Sequence, residues 1–105
     1  MKESYIYILS NKNRTVFYTG VTANLVNRIQ WHMKEMGSAF CYKYNVNELI
    51  YYEMFIDIRD AIKRETEIKG WRREKKLALI RKRNPEMKNL LEKGKQIPPS
   101  LRDDG

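Results

Sequence analysis

Residues 4–20 read SYIYILSNKNRTVFYTG, and this stretch decides the fold. Ser4–Ser10 is short and rich in β-branched and aromatic residues, which predicts a β-strand. Asn11–Arg14 has the composition of a turn, and Thr15–Gly20 predicts a second strand. We therefore expect an antiparallel hairpin at the start of the chain.

Two tyrosines occupy the middle of this hairpin. If the loop consists of the four residues between the predicted strands, Ser10 faces Thr15. Tyr7 then stands directly opposite Tyr18, on the same face of the sheet. A cross-strand aromatic pair stabilises a hairpin by up to about 1 kcal/mol. The pair therefore has a structural and a catalytic interpretation, and the hairpin alone leaves both open.

The remaining elements follow from the spacing of apolar residues. Helical spacing predicts a helix over Leu25–Met36, and a short aromatic and β-branched run predicts a strand over Leu49–Ile56. A long helix is predicted over Asp57–Arg83, with Gly70 as a point where it can kink, and a short one over Met87–Glu92. The order β-β-α-β-α-α predicts an α/β (α+β) fold in which a small sheet carries helices.

Length and composition restrict the class of protein. The 105 residues have room for one core, so we expect one domain over residues 1–93 and a mobile tail over residues 94–105. The sequence has neither a run of apolar residues long enough to span a bilayer nor the layout of a signal peptide. Cys41 is the only cysteine, which predicts a reducing, cytoplasmic location. One cysteine and one histidine exclude a closed Cys/His zinc site, so a bound metal should be a hard cation on carboxylate oxygen.

The charge of the chain points to a polyanionic partner. Lysine and arginine number 21 against 13 acidic residues, which gives a net charge of +8. Residues 59–95 alone contain 14 basic and 6 acidic residues. This balance favours nucleic acid; a membrane surface is disfavoured because no strongly amphipathic terminal helix is present. A solvated basic helix without a ligand is the alternative.

Two helices contribute polar residues at the border of the predicted core. Arg28 and His32 are four residues apart and share one flank of the first apolar stripe, where a cation can reach a phosphate. Glu65 projects into the middle of the apolar stripe of the long helix, where a carboxylate is costly without a partner or a metal. The alternatives are ordinary boundary residues for the first pair and an ion pair with Arg72 or Lys76 for Glu65.

The ordered set of these residues resembles the signature of the GIY-YIG nuclease superfamily. The matching segments are Tyr5-Ile6-Tyr7, then Tyr18-Thr19-Gly20, then Arg28 and His32. Residues 61–76 are similar to the helix that carries the acidic residue in small stand-alone members. The resemblance covers residues 4 to about 90. The chain departs from the pattern at Tyr5 and Thr19, which stand where the family has the glycine and isoleucine of its motifs.

The resemblance implies a fold, an activity and a site. The fold would be a three-stranded antiparallel sheet flanked by helices, and the activity Mg²⁺-dependent (or Mn²⁺-dependent) hydrolysis of phosphodiester bonds. The catalytic residues would be Tyr7, Tyr18, Arg28, His32 and Glu65, with Glu65 the metal ligand and Tyr7 the favoured base. Asn84 is the nearest candidate for a late asparagine that many members carry near the site. The candidate contacts to nucleic acid are Arg28, Lys69, Arg72, Arg73 and Lys76.

Three functional interpretations follow. The first is a metal-dependent endonuclease that acts on branched, damaged or single-stranded DNA. Domains related to the family occur in the incision subunit of bacterial excision repair and in homing endonucleases. The second is a nucleic-acid-binding module of the same fold with little turnover, and the third is a structural or protein-interaction role. RNA remains open as a substrate, and a protein partner could direct the enzyme to its target.

Overall fold

The computed structural model describes residues 3–33 and 43–90. Three antiparallel strands form one sheet in the order β2-β1-β3, which confirms the predicted α+β fold with a three-stranded sheet. The strands and helices, in chain order, are β1 Ser4–Ser10, β2 Phe17–Thr22, α1 Leu25–Met33, β3 Glu48–Phe55, α2 Ile58–Lys69 and α3 Arg73–Arg83. The predicted residues 34–36 of α1 and the tail over residues 94–105 lie outside the described residues.

The register predicted for the hairpin is wrong by two residues on β2. The loop is longer than four residues because Asn11 binds it from within: its Oδ1 accepts hydrogen bonds from the backbone N–H groups of Thr15 (2.9 Å) and Val16 (3.0 Å). Residues 15 and 16 therefore belong to the loop, and β2 begins at Phe17. Tyr7 consequently pairs with Gly20 rather than with Tyr18.

The alternation of side chains along the strands divides the core between the two faces of the sheet. On the first face, which α1 covers, the buried apolar residues are Tyr7, Leu9, Leu25, Val46 and Leu49. On the second face, which α2 and α3 cover, they are Ile6, Ile8, Ile50, Tyr51, Ala61, Ile68 and Ile80. Tyr7 and Ile6 are neighbours in sequence but belong to opposite faces, so the tyrosine face and the α2–α3 face are separate surfaces.

The long helix predicted over Asp57–Arg83 is two helices. Asp57 caps the first one, since its side chain accepts a hydrogen bond from the backbone N–H of Arg59. The first helix ends at Gly70, whose N–H bonds back to the carbonyl oxygen of Glu67, and Arg72 is extended (φ −69°, ψ 158°) before α3 begins. The extended residue at the break changes the direction of the chain and the phase of the apolar positions after it.

The short helix predicted over Met87–Glu92 is wrong for residues 87–90, which are not helical. Met87 has φ 51°, a left-handed conformation that interrupts a helix. Asn84 binds this segment to β3: its Nδ2 donates to the carbonyl oxygens of Ile50 (3.0 Å) and Lys88 (2.8 Å), and its Oδ1 accepts from the N–H of Lys88 (3.0 Å). Asn84 is buried, so its amide is engaged in structural hydrogen bonds, and this segment covers part of the outer edge of β3.

No helix within residues 3–33 and 43–90 is long and apolar enough to cross a membrane.

Candidate active site

Tyr7 and Tyr18 lie on the same face of the sheet, as predicted, but diagonally rather than opposite each other. Tyr18 pairs with Leu9, two residues beyond Tyr7 on β1. The two rings remain neighbours, with centroids 6.4 Å apart and planes at 35°. Tyr7 is 2% exposed, whereas Tyr18 is half-buried. The more accessible phenol of the pair is therefore on β2.

Gly20 gives the Tyr7 ring its position. A Cβ built on Gly20 would lie 2.4 Å from both Cζ and Oη of Tyr7, a distance at which carbon and oxygen overlap. The phenol end of Tyr7 thus rests directly on the backbone of β2, where only a glycine leaves room. The register explains the last residue of the Tyr18-Thr19-Gly20 motif as a packing requirement of Tyr7.

An open cleft of about 440 Å³ lies where β2 leads into α1. The local turn is set by Asn24, whose Oδ1 accepts the N–H of Asn27 at 3.1 Å and so caps the helix. The cleft is lined by Thr22, Asn24, Asn27, Arg28 and Trp31.

Arg28 and Trp31 are the functional candidates in this cleft. The guanidinium carbon of Arg28 lies 5.0 Å from the centre of the Trp31 ring, in the range of a cation–π contact. Trp31 was not predicted as a site residue because helical periodicity places it on the outer side of α1; its 39% exposed side chain is the signal that identifies it. His32 belongs to α1, and its side chain lies outside the described part of the structure.

Glu65 lies on α2 and therefore on the helices that cover the second face of the sheet. Its side chain is 16% exposed and pairs with Lys69 at 3.2 Å, not with Arg72 or Lys76. Lys69 is 53% exposed, so this ion pair is weak, about 0.5 kcal/mol. The carboxylate is consequently available to another cation at little cost.

The contact made by Arg64 indicates which strand the side chain of Glu65 faces. Ala61 and Ile68 form the buried line of α2, and at about 100° per residue Arg64 and Glu65 flank this line on opposite sides. Arg64 reaches Glu53 on β3. Because β3 and β2 are the two outer strands, Glu65 faces the β2 side.

The basic residues predicted to contact nucleic acid have different environments. Arg73 donates to the carbonyl oxygens of Arg14 and Thr15, and its guanidinium carbon lies 4.6 Å from the centre of the Phe17 ring. It therefore anchors the hairpin to α3. Arg72 is exposed and Lys76 is half-buried.

The carboxylate of Glu65 is suited to bind a hard divalent cation without further carboxylate ligands. Within residues 3–33 and 43–90, no cluster of three or more histidine, cysteine, aspartate or glutamate side chains could hold a metal. Mg²⁺ does not need such a cluster, since it is commonly bound through one or two carboxylates while water and substrate phosphate complete its shell. Glu65, whose side chain is 16% exposed and pairs only with the exposed Lys69 among the described residues, meets that requirement.

A second polar group, which the sequence did not predict, links β3 to α2. Glu53 accepts two hydrogen bonds from Arg64 (3.0 and 3.1 Å) and one from the hydroxyl of Tyr51. Burial alone would raise the pKa of Glu53, but the hydrogen bonds from Arg64 and Tyr51 outweigh it and hold this pKa below the usual value. Burial, followed by the bond to Glu53, raises the pKa of the Tyr51 phenol. This group is a structural clamp between strand and helix.

The clamp predicts a loss of stability in acid. Because the pKa of Glu53 is lowered in the folded protein, its contribution is complete above the unfolded pKa near 4.5 and disappears as the pH falls through the folded pKa. We expect Glu53→Gln to be about 2 kcal/mol less stable than the wild type at neutral pH and the difference to shrink in acid. Urea unfolding across this pH range measures it, with the exposed Glu74→Gln as control; a difference independent of pH would contradict the expectation.

The comparisons with known proteins identify the family of this chain. Residues 3–78 match the family model described as the GIY-YIG catalytic domain. A UPF0213 protein of Staphylococcus haemolyticus is 36% identical over 83 residues, which are 79% of this chain and 100% of that protein. A UPF0213 protein of Syntrophus aciditrophicus is 37% identical over 87 residues, 82% of this chain and 98% of that protein.

A solved structure shows the same fold. The solution NMR structure of a UPF0213 protein from Bacillus halodurans superimposes with a TM-score of 0.54 at 28% identity, covering 83% of this chain and 92% of that one. The names of these relatives state no activity, whereas the matched family model is described as a catalytic domain. Since that model spans most of the chain and includes both tyrosine motifs, Arg28 and Glu65, the chain belongs to the GIY-YIG family.

Proposed function

We propose that this protein is a metal-dependent endonuclease that hydrolyses phosphodiester bonds in DNA. One observation carries the proposal: Tyr7, Tyr18 and the cleft that contains Arg28 meet at one edge strand, β2. The phenol of Tyr7 rests on Gly20 of β2, Tyr18 belongs to β2, and the cleft of Arg28 opens at its end. Glu65 faces the same strand from the other side of the sheet.

The position of β2 makes this arrangement usable by a large substrate. β2 pairs with β1 alone in the described sheet, so no strand of the described residues covers its other edge. A nucleic-acid backbone lying along that side would meet Tyr18 from one face and the carboxylate from the other. The net charge of +8 favours the approach of such a polyanion.

Each residue then has a role that its chemistry supports. Glu65 would hold the divalent cation, Mg²⁺ or Mn²⁺, which when bound polarises the scissile phosphate and stabilises the leaving oxygen. Arg28 would bind a non-bridging phosphate oxygen and stabilise the charge that grows there. His32, four residues further along the same helix, would assist in proton transfer.

The two tyrosines would orient the attacking water and receive its proton. A phenol has a reference pKa near 10, so it acts as a base at neutral pH only where neighbouring positive charge favours the phenolate. Tyr18 is the phenol that water reaches, since Tyr7 is 2% exposed. Tyr7 would then fix the orientation of Tyr18 through their ring contact.

A binding module with little turnover is the second candidate. The observation that favours it is the Glu65–Lys69 ion pair at 3.2 Å, with which a metal would have to compete for the carboxylate. In this case the protein would bind nucleic acid through its charge and leave it intact.

Incubation with labelled plasmid and with branched DNA separates the two candidates. We expect nicking in Mg²⁺ or Mn²⁺ that chelator abolishes and that Glu65→Ala, purified in the same way, does not show. Equal nicking by both proteins would point to a contaminating nuclease and remove the proposal. Absence of nicking together with salt-sensitive binding would establish the binding module. A parallel RNA substrate tests the restriction to DNA.

A further inference from the structure

We propose that a pocket around Trp71, on the opposite face of the sheet from Tyr7, binds a segment of single-stranded nucleic acid. We call it the Trp71 pocket; it has a volume of about 260 Å³ and is lined by Arg64, Trp71, Lys75, Ala78, Leu79 and Lys82. The proposal concerns binding alone and does not require turnover at the site on β2.

The pocket has an aromatic and aliphatic floor with cations around it. Trp71 packs against the buried residues of the second face together with Leu79. The guanidinium carbon of Arg64 lies 5.2 Å and the Nζ of Lys75 4.3 Å from the centre of its ring. Lys75 and Lys82 are seven residues apart on α3, so they project from the same side of the helix about 10 Å apart along its axis.

The charge at this pocket is positive and largely uncompensated. Arg64 is balanced by Glu53 at 3.0 Å and by Glu67 at 3.7 Å. The excess charge comes from α3, whose eleven residues include six basic side chains and one acidic side chain. Among residues 3–33 and 43–90, no salt bridge joins a basic residue of α3 to a carboxylate.

This combination fits an unpaired strand better than a duplex or a bilayer. Single-stranded nucleic acid presents bases that stack on aromatic rings and phosphates that attract lysine. A duplex hides its base faces, so the indole floor would contribute nothing to binding it. A membrane surface favours apolar side chains that protrude, whereas the apolar residues here line a concavity. Exposed Lys75 would leave the indole face and move to a phosphate when a base stacks.

The pocket is separate from the candidate active site. Trp71 packs against the buried cluster of the second face, whereas Tyr7 belongs to the cluster of the first. On α2, Arg64 faces the pocket and Glu65 faces β2, so the helix itself lies between the two places. A strand bound at Trp71 would therefore tether the substrate or a flanking strand outside the reacting phosphate.

Tryptophan fluorescence can test the proposal. The chain has two tryptophans: Trp31 lies in the cleft of Arg28, and Trp71 lies in the pocket. In chelator, oligothymidylate should quench tryptophan fluorescence in the wild type and in Trp31→Phe, and this quenching should be lost in Trp71→Phe. Quenching that resides in Trp31 alone, or no binding at low salt, would overturn the proposal. Nicking plays no part in this readout, so the failure of one proposal is distinguishable from the failure of the other.

Charge removal provides the second readout. Lys75→Gln combined with Lys82→Gln should weaken oligothymidylate binding about tenfold and reduce the slope of log K against log salt by about 1.4. The control, Lys63→Gln with Arg81→Gln, removes two exposed charges from α2 and α3 outside the pocket and should leave the slope unchanged. Equal effects of both variants would show that binding depends only on the overall positive charge, which would overturn the proposal. Tighter binding to a matched duplex, or binding only to phosphatidylserine vesicles, would also overturn the proposal.

Discussion

Gly20→Ala should destabilise the protein by about 3 kcal/mol and displace Tyr7. The added Cβ would lie 2.4 Å from Cζ and Oη of a tyrosine that is 2% exposed. Tyr7 belongs to the buried core of the first face, so its ring cannot move away without displacing the residues packed around it. Either the ring leaves its position or β2 separates from β1, and both outcomes expose apolar surface.

Urea unfolding of the two glycine variants measures this effect. Gly70→Ala is the matched control, because its added Cβ would meet the carbonyl oxygen of Glu67 at an ordinary 3.5 Å and its φ is −82°. We expect Gly70→Ala to be neutral or stabilising by about 0.5 kcal/mol. In a Tyr7→Leu background, Gly20→Ala should cost clearly less, because the shorter side chain removes the clash. An equal cost in both backgrounds would contradict this explanation.

Glu65→Gln should reduce metal-dependent nicking about a thousandfold while leaving the fold intact. An amide retains the size of the side chain but removes the negative charge that binds a hard cation, and loss of several kcal/mol of transition-state stabilisation corresponds to a rate factor of this size. Stability should change little, because the ion pair with Lys69 involves a partner that is 53% exposed.

Two neighbours on α2 serve as controls for Glu65. Glu67 is 51% exposed and contacts Arg64 at 3.7 Å, so Glu67→Gln removes the same charge from the outer side of the helix and should retain nicking. Lys69→Ala removes the competitor for the carboxylate and should lower the Mg²⁺ concentration needed for half-maximal rate. If Glu65→Gln nicks as fast as the wild type with the same metal dependence, Glu65 is not the metal ligand.

Local sequence patterns predicted the strands, the helices and the family. They predicted less well how the strands pair with each other. The run of β-branched and aromatic residues predicted β1 with the bounds that the structure shows, Ser4–Ser10. The register of β2 was not accessible in the same way. It depends on Asn11, whose side chain holds residues 15 and 16 in the loop, and turn composition does not reveal which backbone groups an asparagine side chain will bind.

The bounds of the helices also depend on contacts that local sequence patterns do not reveal. Apolar periodicity predicts the helical content of residues 58–83, and Gly70 marks a point where the helix can kink. Only the structure shows two separate helices, with Trp71 at the break packed against the second face of the core. The segment after Asn84 has helical composition at Met87–Glu92, yet in residues 87–90 the hydrogen bonds of the Asn84 amide to Ile50 and Lys88 replace those of a helix. Contacts with distant strands decided both cases.

The tyrosine pair illustrates what local sequence patterns predict and what depends on tertiary packing. Strand periodicity and motif spacing are local properties, so they predicted the small α+β fold and the residues of the family signature. Three relations came from the folded structure: Tyr7 lies on Gly20, Trp31 shares the cleft of Arg28, and Glu65 and Arg64 diverge toward different strands. These relations depend on strand register and on the side of the sheet that each helix covers, which residues distant in sequence fix through packing.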